Sequence, residues 1–527
     1  MNRKDTRWPF LVLCITIACG GLSHAQQEEK KPRPNFTVGK ETTYVDGPLT
    51  KDGYIDYAAA LNKRLSVGVT PENNANVLLW KAFGPHPNGE TMPPEFFKWL
   101  GYEPPERGEY FTDLHGYLRT HLKVDPEKQP MSIDEIFDRV SERPWIARQY
   151  PEVADYLKAN AKPLALVVEA TRRSHYFSPL VPTGDAGLLS ALVPGVQKCR
   201  QLAHALTARA MLHLGEGRDD EAWQDLLACH RLGRLVGRSA TAIESLVGIA
   251  IDTIANHADL VYLERSKLNA KQLAERLRDL QRLPPMPTMA DRVDLGERFV
   301  FLDCVLSVAS GRDAVLGGIA AGQRKALTPK DKEALASIHW DLALRNANRW
   351  YDRAAAAMRL QDRAAREAAL KELVQDADIR GVHASKLRKQ MIADALLGKA
   401  PTPQALGESI GDVLIGLLMP AVTKLQHASD RTTQRAANLH VAFALAAYQR
   451  DHKRYPMKLE ALAPAYLPQL PQDIFSGKAL VYRLTPNGYL MYSVGVNGQD
   501  DQGRSADDEP PGDDLTVRMP LPEPRKR

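Results

Sequence analysis

The sequence predicts a mainly α protein: a multi-helix body followed by a small C-terminal α+β unit. Three observations predict it. Apolar residues recur at steps of three and four through much of residues 163–400, and residues 328–379 contain no glycine or proline after Pro329. Near the C-terminus the pattern changes to two short alternating segments around Pro486-Asn487-Gly488, which reads as a hairpin. The chain has 527 residues, more than one ordinary core organises, so two or three domains are expected. A formal net charge of +5 with no clustered Lys/Arg excess argues against a nucleic-acid partner.

Residues 1–25 read as a cleavable secretory signal. Arg3, Lys4 and Arg7 give a positive start, Trp8 to Cys19 form a short apolar run, and Ser23-His24-Ala25 closes it with small residues where a signal peptidase reads. That run falls short of the roughly 20 residues a membrane-spanning helix needs, so no transmembrane anchor is expected after its removal. The expected location is the periplasm, cell envelope or exterior. Cleavage after Ala25 is favoured over lipidation at Cys19, because Thr16-Ile17-Ala18-Cys19 lacks the leucine of a lipoprotein signal. Of the five cysteines, Cys199, Cys229 and Cys304 lie beyond this leader, which permits one disulfide at most. Cys199 and Cys229 could meet across a helical hairpin. Alternatively, Cys229 is a buried free thiol among Leu226, Leu227 and Leu232.

Residues 26–43 are polar and read as a flexible leader. Residues 44–162 are rich in proline and aromatics and hold short helices at about 54–65, 72–83 and 95–100. Thr70-Pro71-Glu72 has the chemistry to start the second of these. Trp80, Phe83, Phe96, Phe97 and Trp99 imply that the segment packs on the helical body, residues 163–400. Within that body, helices are expected at 198–214 and 219–236, then one with Ile243, Val247, Ala250, Ile254, Ala258 and Val261 on its apolar stripe. The turn Gly215 to Ala222 resembles the hinge of a tetratricopeptide unit, but no 34-residue copy recurs, so one hairpin is expected and not an array. Residues 328–379 read as one long helix or two meeting at a soft joint.

From about 405 to 505 a long helix bearing Ala436, Leu439, Phe443 and Ala446 leads through Tyr455-Pro456 and Tyr466-Leu467-Pro468 to Asp473-Ile474-Phe475-Ser476-Gly477, then to Tyr492-Ser493-Val494-Gly495-Val496-Asn497-Gly498. At these residues the chain resembles the soluble domain of a type II secretion major pseudopilin and related pilin-like proteins. The resemblance implies a long helix on a small antiparallel sheet. It departs from that family at the start: there is no prepilin cleavage site, and Asp412 and Pro420 interrupt the apolar part of the helix. A pilin-like domain fused behind a helical body is therefore expected, not a pilus subunit. Residues 506–527 read as a loose acidic, proline-rich tail.

No His-Glu-x-x-His, Gly-x-Ser-x-Gly, P-loop or dinucleotide fingerprint occurs. Glu244 and Asp252 fall four-residue steps apart with Gly248, Asn256 and near Asp259, so paired carboxylates facing a cleft could perform acid–base chemistry. The competing explanation is the wet face of an amphipathic helix. Trp350 with Arg349 and Arg353 could stack on a polar ligand, or seal a helix–helix contact. Some pseudopilins bind calcium in the loop after the last strand; the resemblance maps that role best onto Asp500 and Asp501, with Asn497, Asp507 and Asp508 as further candidate donors in an acidic segment that runs on through Asp513-Asp514, and the competing reading is a solvated acidic tail. Together these features predict an exported, non-enzymatic interaction or structural protein whose C-terminal module docks a protein partner or self-associates. The alternative is a secreted hydrolase acting on a polysaccharide or cell-wall substrate through carboxylates of the body.

Overall fold

A computed structural model describes residues 35–121, 133–184, 187–191, 193–311, 335, 338–396 and 403–523. The expected signal, residues 1–25, lies outside the described residues.

The chain is mainly helical with one small antiparallel sheet at its C-terminal end. α1 (Tyr57–Leu65) starts where Asp56 Oδ1 accepts from Ala59 N at 2.9 Å. α2 (Ala75–Phe83) starts later than Thr70-Pro71-Glu72 predicts. Thr70 N donates to Asn73 Oδ1 and closes a turn there, and Asn74 is the cap, its Oδ1 accepting from both Asn76 N and Phe177 N. An asparagine that also ties down a distant segment outweighs a proline that only suits a first turn. α3 (Pro94–Leu100), α4 (Leu114–His121), α5 (Ile133–Glu142), α6 (Pro151–Ala159) and α7 (Ala161–Ala170) complete the N-terminal part. Trp80 lies 4.9 Å from Phe96 and 5.4 Å from Phe97, and this aromatic group joins one buried cluster with Leu202 and Leu206 of the body.

The expected hairpin is α8 (Pro194–Gly215) and α9 (Asp219–Val236). α10 (Ala242–Arg265) opens with a capping box in which Thr241 and Glu244 bond each other's backbone N–H. Its apolar stripe is buried at Val247, Ala258 and Val261 as expected, but burial extends to the polar row as well. Ile243, first residue of the anticipated apolar stripe, is 62% exposed, whereas Glu244, Asp252 and Asp259 are 0% exposed. α8, α9 and a later long helix all contact α10, so its polar row is enclosed. α10 has the length and composition to cross a membrane, yet 61% of its most apolar window is buried in the protein.

α11 (Ala270–Gln281) is followed by α12, which runs from Met289–Asp291 through a π-helical stretch, Arg292–Glu297, into Arg298–Ala309. Of the run expected to be helical, 328–379, residues 328–334, 336 and 337 lie outside the described residues and 338–340 are not helical; from 341 on it forms α13 (Asp341–Met358) and the first half of α14 (Arg363–Leu396). Asp362 Oδ1 accepts from Ala365 N at 2.7 Å, a side-chain cap that restarts the helix after the break. Residues 35–43 were expected as flexible leader but are fastened to α13. Asn348 Nδ2 donates to Glu41 O and Thr42 O, and Thr37 N donates to Asp341 Oδ1 at 2.6 Å.

α15 (Pro403–His452) has 50 residues, about 75 Å at 1.5 Å per residue. Its second half packs on α10 and α11 and on the sheet. β1 (Val481–Thr485), β2 (Gly488–Ser493) and β3 (Leu515–Met519) pair antiparallel in the order β1-β2-β3, with Val481 opposite Tyr492 and Ser493 opposite Leu515. β3 lies in the stretch expected as a loose tail. Leu515, Val517 and Met519 alternate inward, and that burial holds it on the sheet. Tyr489, Met491, Val517 and Met519 belong to the same buried cluster as Trp223 and Phe443, so sheet and body share a core. Cys199, Cys229 and Cys304 are free buried thiols.

Candidate metal centre and the buried carboxylates

Pairing of β3 with β2 folds residues 494–514 into a loop between two strands, not after the last one. Gly495 takes φ +70°, and a Cβ there would lie 2.1 Å from Asp513 O, so only glycine lets the two ends of the loop meet this closely. Asp501 Oδ2 accepts from Asp513 N at 2.9 Å, Asp513 Oδ2 accepts from Asn497 N at 3.0 Å, and Asp514 Oδ2 accepts from Gly503 N at 2.7 Å. One carboxylate oxygen from each of Asp501, Asp513 and Asp514 then lies within 4.8 Å of the other two. Asp513 Oδ1 is buried without a hydrogen-bond partner among the described residues. Burial raises the Asp514 carboxyl above its ordinary range, and the negative Asp501 and Asp500 add to this. The Asp513 N–H holds Asp501 below its ordinary range. Hard oxygens clustered this way suit a divalent cation such as calcium, with backbone carbonyls and water completing six to eight ligands.

The expected calcium donors divide. Asp501 joins the cluster, and Asn497 braces it by donating Nδ2 to Asp501 Oδ2 at 3.3 Å. Asp500 accepts from the Tyr492 hydroxyl at 2.9 Å and from Gln502 N at 2.8 Å, outside the cluster. Asp508 is bound by Arg518 at 2.7 Å, which drives its carboxyl far below the usual range, and Asp507 is exposed. Asp513 and Asp514 stood in the acidic segment but outside the named donors. The available signal was the apolar alternation at Leu515, Val517 and Met519, which marks a strand that returns these two acids to Asp501.

Glu244 and Asp252 have sealed surroundings. Glu244 Oε2 accepts from Thr241 N at 3.1 Å and from the Thr241 hydroxyl at 2.9 Å, and burial raises its carboxyl. Asp252 Oδ1 accepts from His230 Nδ1 at 2.6 Å and from Arg234 at 2.6 Å, while Asp259 Oδ2 accepts from His230 Nε2 at 2.8 Å. His230 is therefore clamped between two carboxylates, an arrangement that the seven-residue, two-turn spacing of Asp252 and Asp259 on α10 and the position of His230 on α9 together produce. Burial opposes the charged ring, but Asp259 and Asp252 outweigh it and push His230 up to about 9. Burial likewise opposes the charged Asp252, yet His230 and Arg234 bring it down to about 2. Burial dominates at Asp259 and raises it. With Arg234 the group balances two positive against two negative charges, which is a structural ion cluster.

Trp350 is 6% exposed and meets Tyr351 at 5.0 Å, so its ring faces the core and offers no stacking surface. Arg353 pairs with Asp376 of α14 at 2.5 Å, and Arg349 is exposed. No ligand site forms from the three. No family model matches the chain, and no curated protein and no solved structure is significantly similar to it.

Proposed function

We propose that the chain is an exported, non-enzymatic interaction protein of the bacterial cell envelope or exterior, with a pilin-like C-terminal module that docks a protein partner. The observation that carries this reading is the internal use of the body's carboxylates. Glu244, Asp252 and Asp259 are 0% exposed, and neither Glu244 nor Asp252 lines the cavity beneath Trp80 or the cleft beside Arg450. A general acid must reach its substrate within hydrogen-bond distance. The purified protein is expected to show no turnover of polysaccharide or cell-wall substrates. Turnover lost on Glu244→Gln or Asp252→Asn, in variants that remain folded, would instead support the hydrolase alternative.

The cluster of Asp501, Asp513 and Asp514 supports a second element of the reading, a calcium ion that sets the β2–β3 loop. Millimolar calcium is expected to raise the melting temperature on the order of 2 °C or more relative to chelator. Asp513→Asn should remove most of that rise, while Asp507→Asn, at the exposed acid, should leave it intact. Equal melting in calcium and in chelator would show that the loop holds no ion.

A further inference from the structure

Between the C-terminal end of α10, the last turns of α15 and the edge of the sheet lies a cleft of about 130 Å³. Ala446, Tyr489 and Met519 form an apolar floor, and Glu264, Gln449, Arg450, Tyr455 and Asn487 stand around it. The charges of this rim are unequal in how they are used. Both Glu264 oxygens are engaged, one by Leu521 N at 2.8 Å and the other by Arg265 at 2.8 Å. The Arg450 guanidinium donates only to neutral oxygens: Leu268 O at 3.1 Å, Ser266 O at 3.2 Å and Gln449 Oε1 at 3.0 Å. No carboxylate among the described residues pairs with it.

Three further side chains on the rim keep donors free. The Tyr455 hydroxyl, the Gln449 amide nitrogen and the Asn487 amide make no hydrogen bond among the described residues, although Gln449 and Tyr455 are partly buried. The neighbouring loop adds exposed Lys453, Arg454 and Lys458, while Asp451 is occupied by the Tyr466 hydroxyl at 2.9 Å. An uncompensated guanidinium, three unpaired donors and an apolar floor in one recess match a carboxylate attached to a small apolar group. The room equals about four water molecules, which suits a side chain of valine size beside its carboxylate.

We propose that this cleft captures the free C-terminal carboxylate of a partner peptide ending in a small apolar residue. Arg450 supplies the charge, Tyr455, Gln449 and Asn487 supply directed hydrogen bonds, and Tyr489 and Met519 receive the side chain. This is terminal-carboxylate capture, with side-chain donors in place of a backbone nest. It rests on the reading of the chain as a docking protein, and the two fail separately. Turnover in the activity screen removes that reading, whereas absent peptide binding removes only this use of the cleft.

Calorimetric titration of the full chain with acetyl-Gly-Gly-Val, its C-terminal amide and sodium acetate provides the test. Saturable binding of the free acid is expected, with the amide at least about tenfold weaker, since it loses the charge-assisted bonds. Tyr455→Phe and Asn487→Ala, which leave the Arg450 bonds to Ser266 and Leu268 untouched, should each weaken the free acid by about fivefold to tenfold. No saturable binding of the acid at ligand concentrations up to the order of 10 mM overturns the proposal. So does equal binding of acid and amide, acetate binding as tight as the peptide, or affinity unchanged in both variants.

Discussion

Replacing His230 with alanine is expected to destabilise the protein by about 3–5 kcal/mol, measured by chemical denaturation, because it leaves Asp252 and Asp259 buried with one cation between them. The cost comes from stranded charge and not from lost volume. Asp259→Asn removes one charge at nearly constant shape and should cost less; it should also lower the pH at which His230 loses its proton, read from the imidazole resonances. The wild-type pH profile has a fixed sign. His230 is raised in the fold, so its contribution is complete below about 6.5 and is lost as pH rises through about 9. Asp252 is lowered, so its contribution is present above about 3.9 and is lost as pH falls through about 2. From α15, Arg435 and His440 also face this group; burial, His230 and Arg234 depress His440 to about 4, so it is neutral over the upper part of the plateau. A stability unchanged in His230→Ala, or one that rises between pH 7 and 9.5, would show that the ring does not bridge both acids.

Gly248→Ala is expected to cost at least about 2–3 kcal/mol in the same measurement, a large effect for one methyl group. A Cβ on Gly248 would lie 2.5 Å from Gly233 O and 2.7 Å from Gly237 N, and a Cβ on Gly233 would lie 2.8 Å from Gly248 O. α9 and α10 thus touch backbone to backbone, with no flexible side chain to yield. Separating them also lengthens the bonds from His230 to Asp252 and Asp259, because these residues flank the crossing. The double variant with His230→Ala should therefore lose less than the sum of the two single losses. A cost below about 0.5 kcal/mol for Gly248→Ala would mean that the two helices do not approach this closely.

These two positions show where the sequence could and could not be read. Gly248, Asp252, Asn256 and Asp259 stand out as a row at helical spacing, but a polar row on one helix has two meanings, wet face or buried network. His230 decides between them, and it lies on another helix 22 residues before Asp252. The acidic loop behaves the same way. Asp501 is legible from the motif that resembles pseudopilins, whereas Asp513 and Asp514 reach it only because β3 pairs with β2. Asn74 in place of Thr70 as the cap of α2 has the same origin, since its second bond, from Phe177 N, comes from 103 residues away.

The sequence by itself determined the mainly helical class, the α8–α9 hairpin, the break-free character of α13 and α14 apart from their joint, and the β1–β2 hairpin. Each follows from short-range periodicity, capping and turn chemistry, which act within a few residues. Only the tertiary structure decided that the polar row of α10 is enclosed as well as its apolar stripe, that residues 35–43 are fastened to α13, that residues 515–519 form a third strand, and which acids converge. Those outcomes depend on charges and apolar surfaces from distant segments meeting, and the free energy of such a meeting belongs to the pair and is written in neither segment alone.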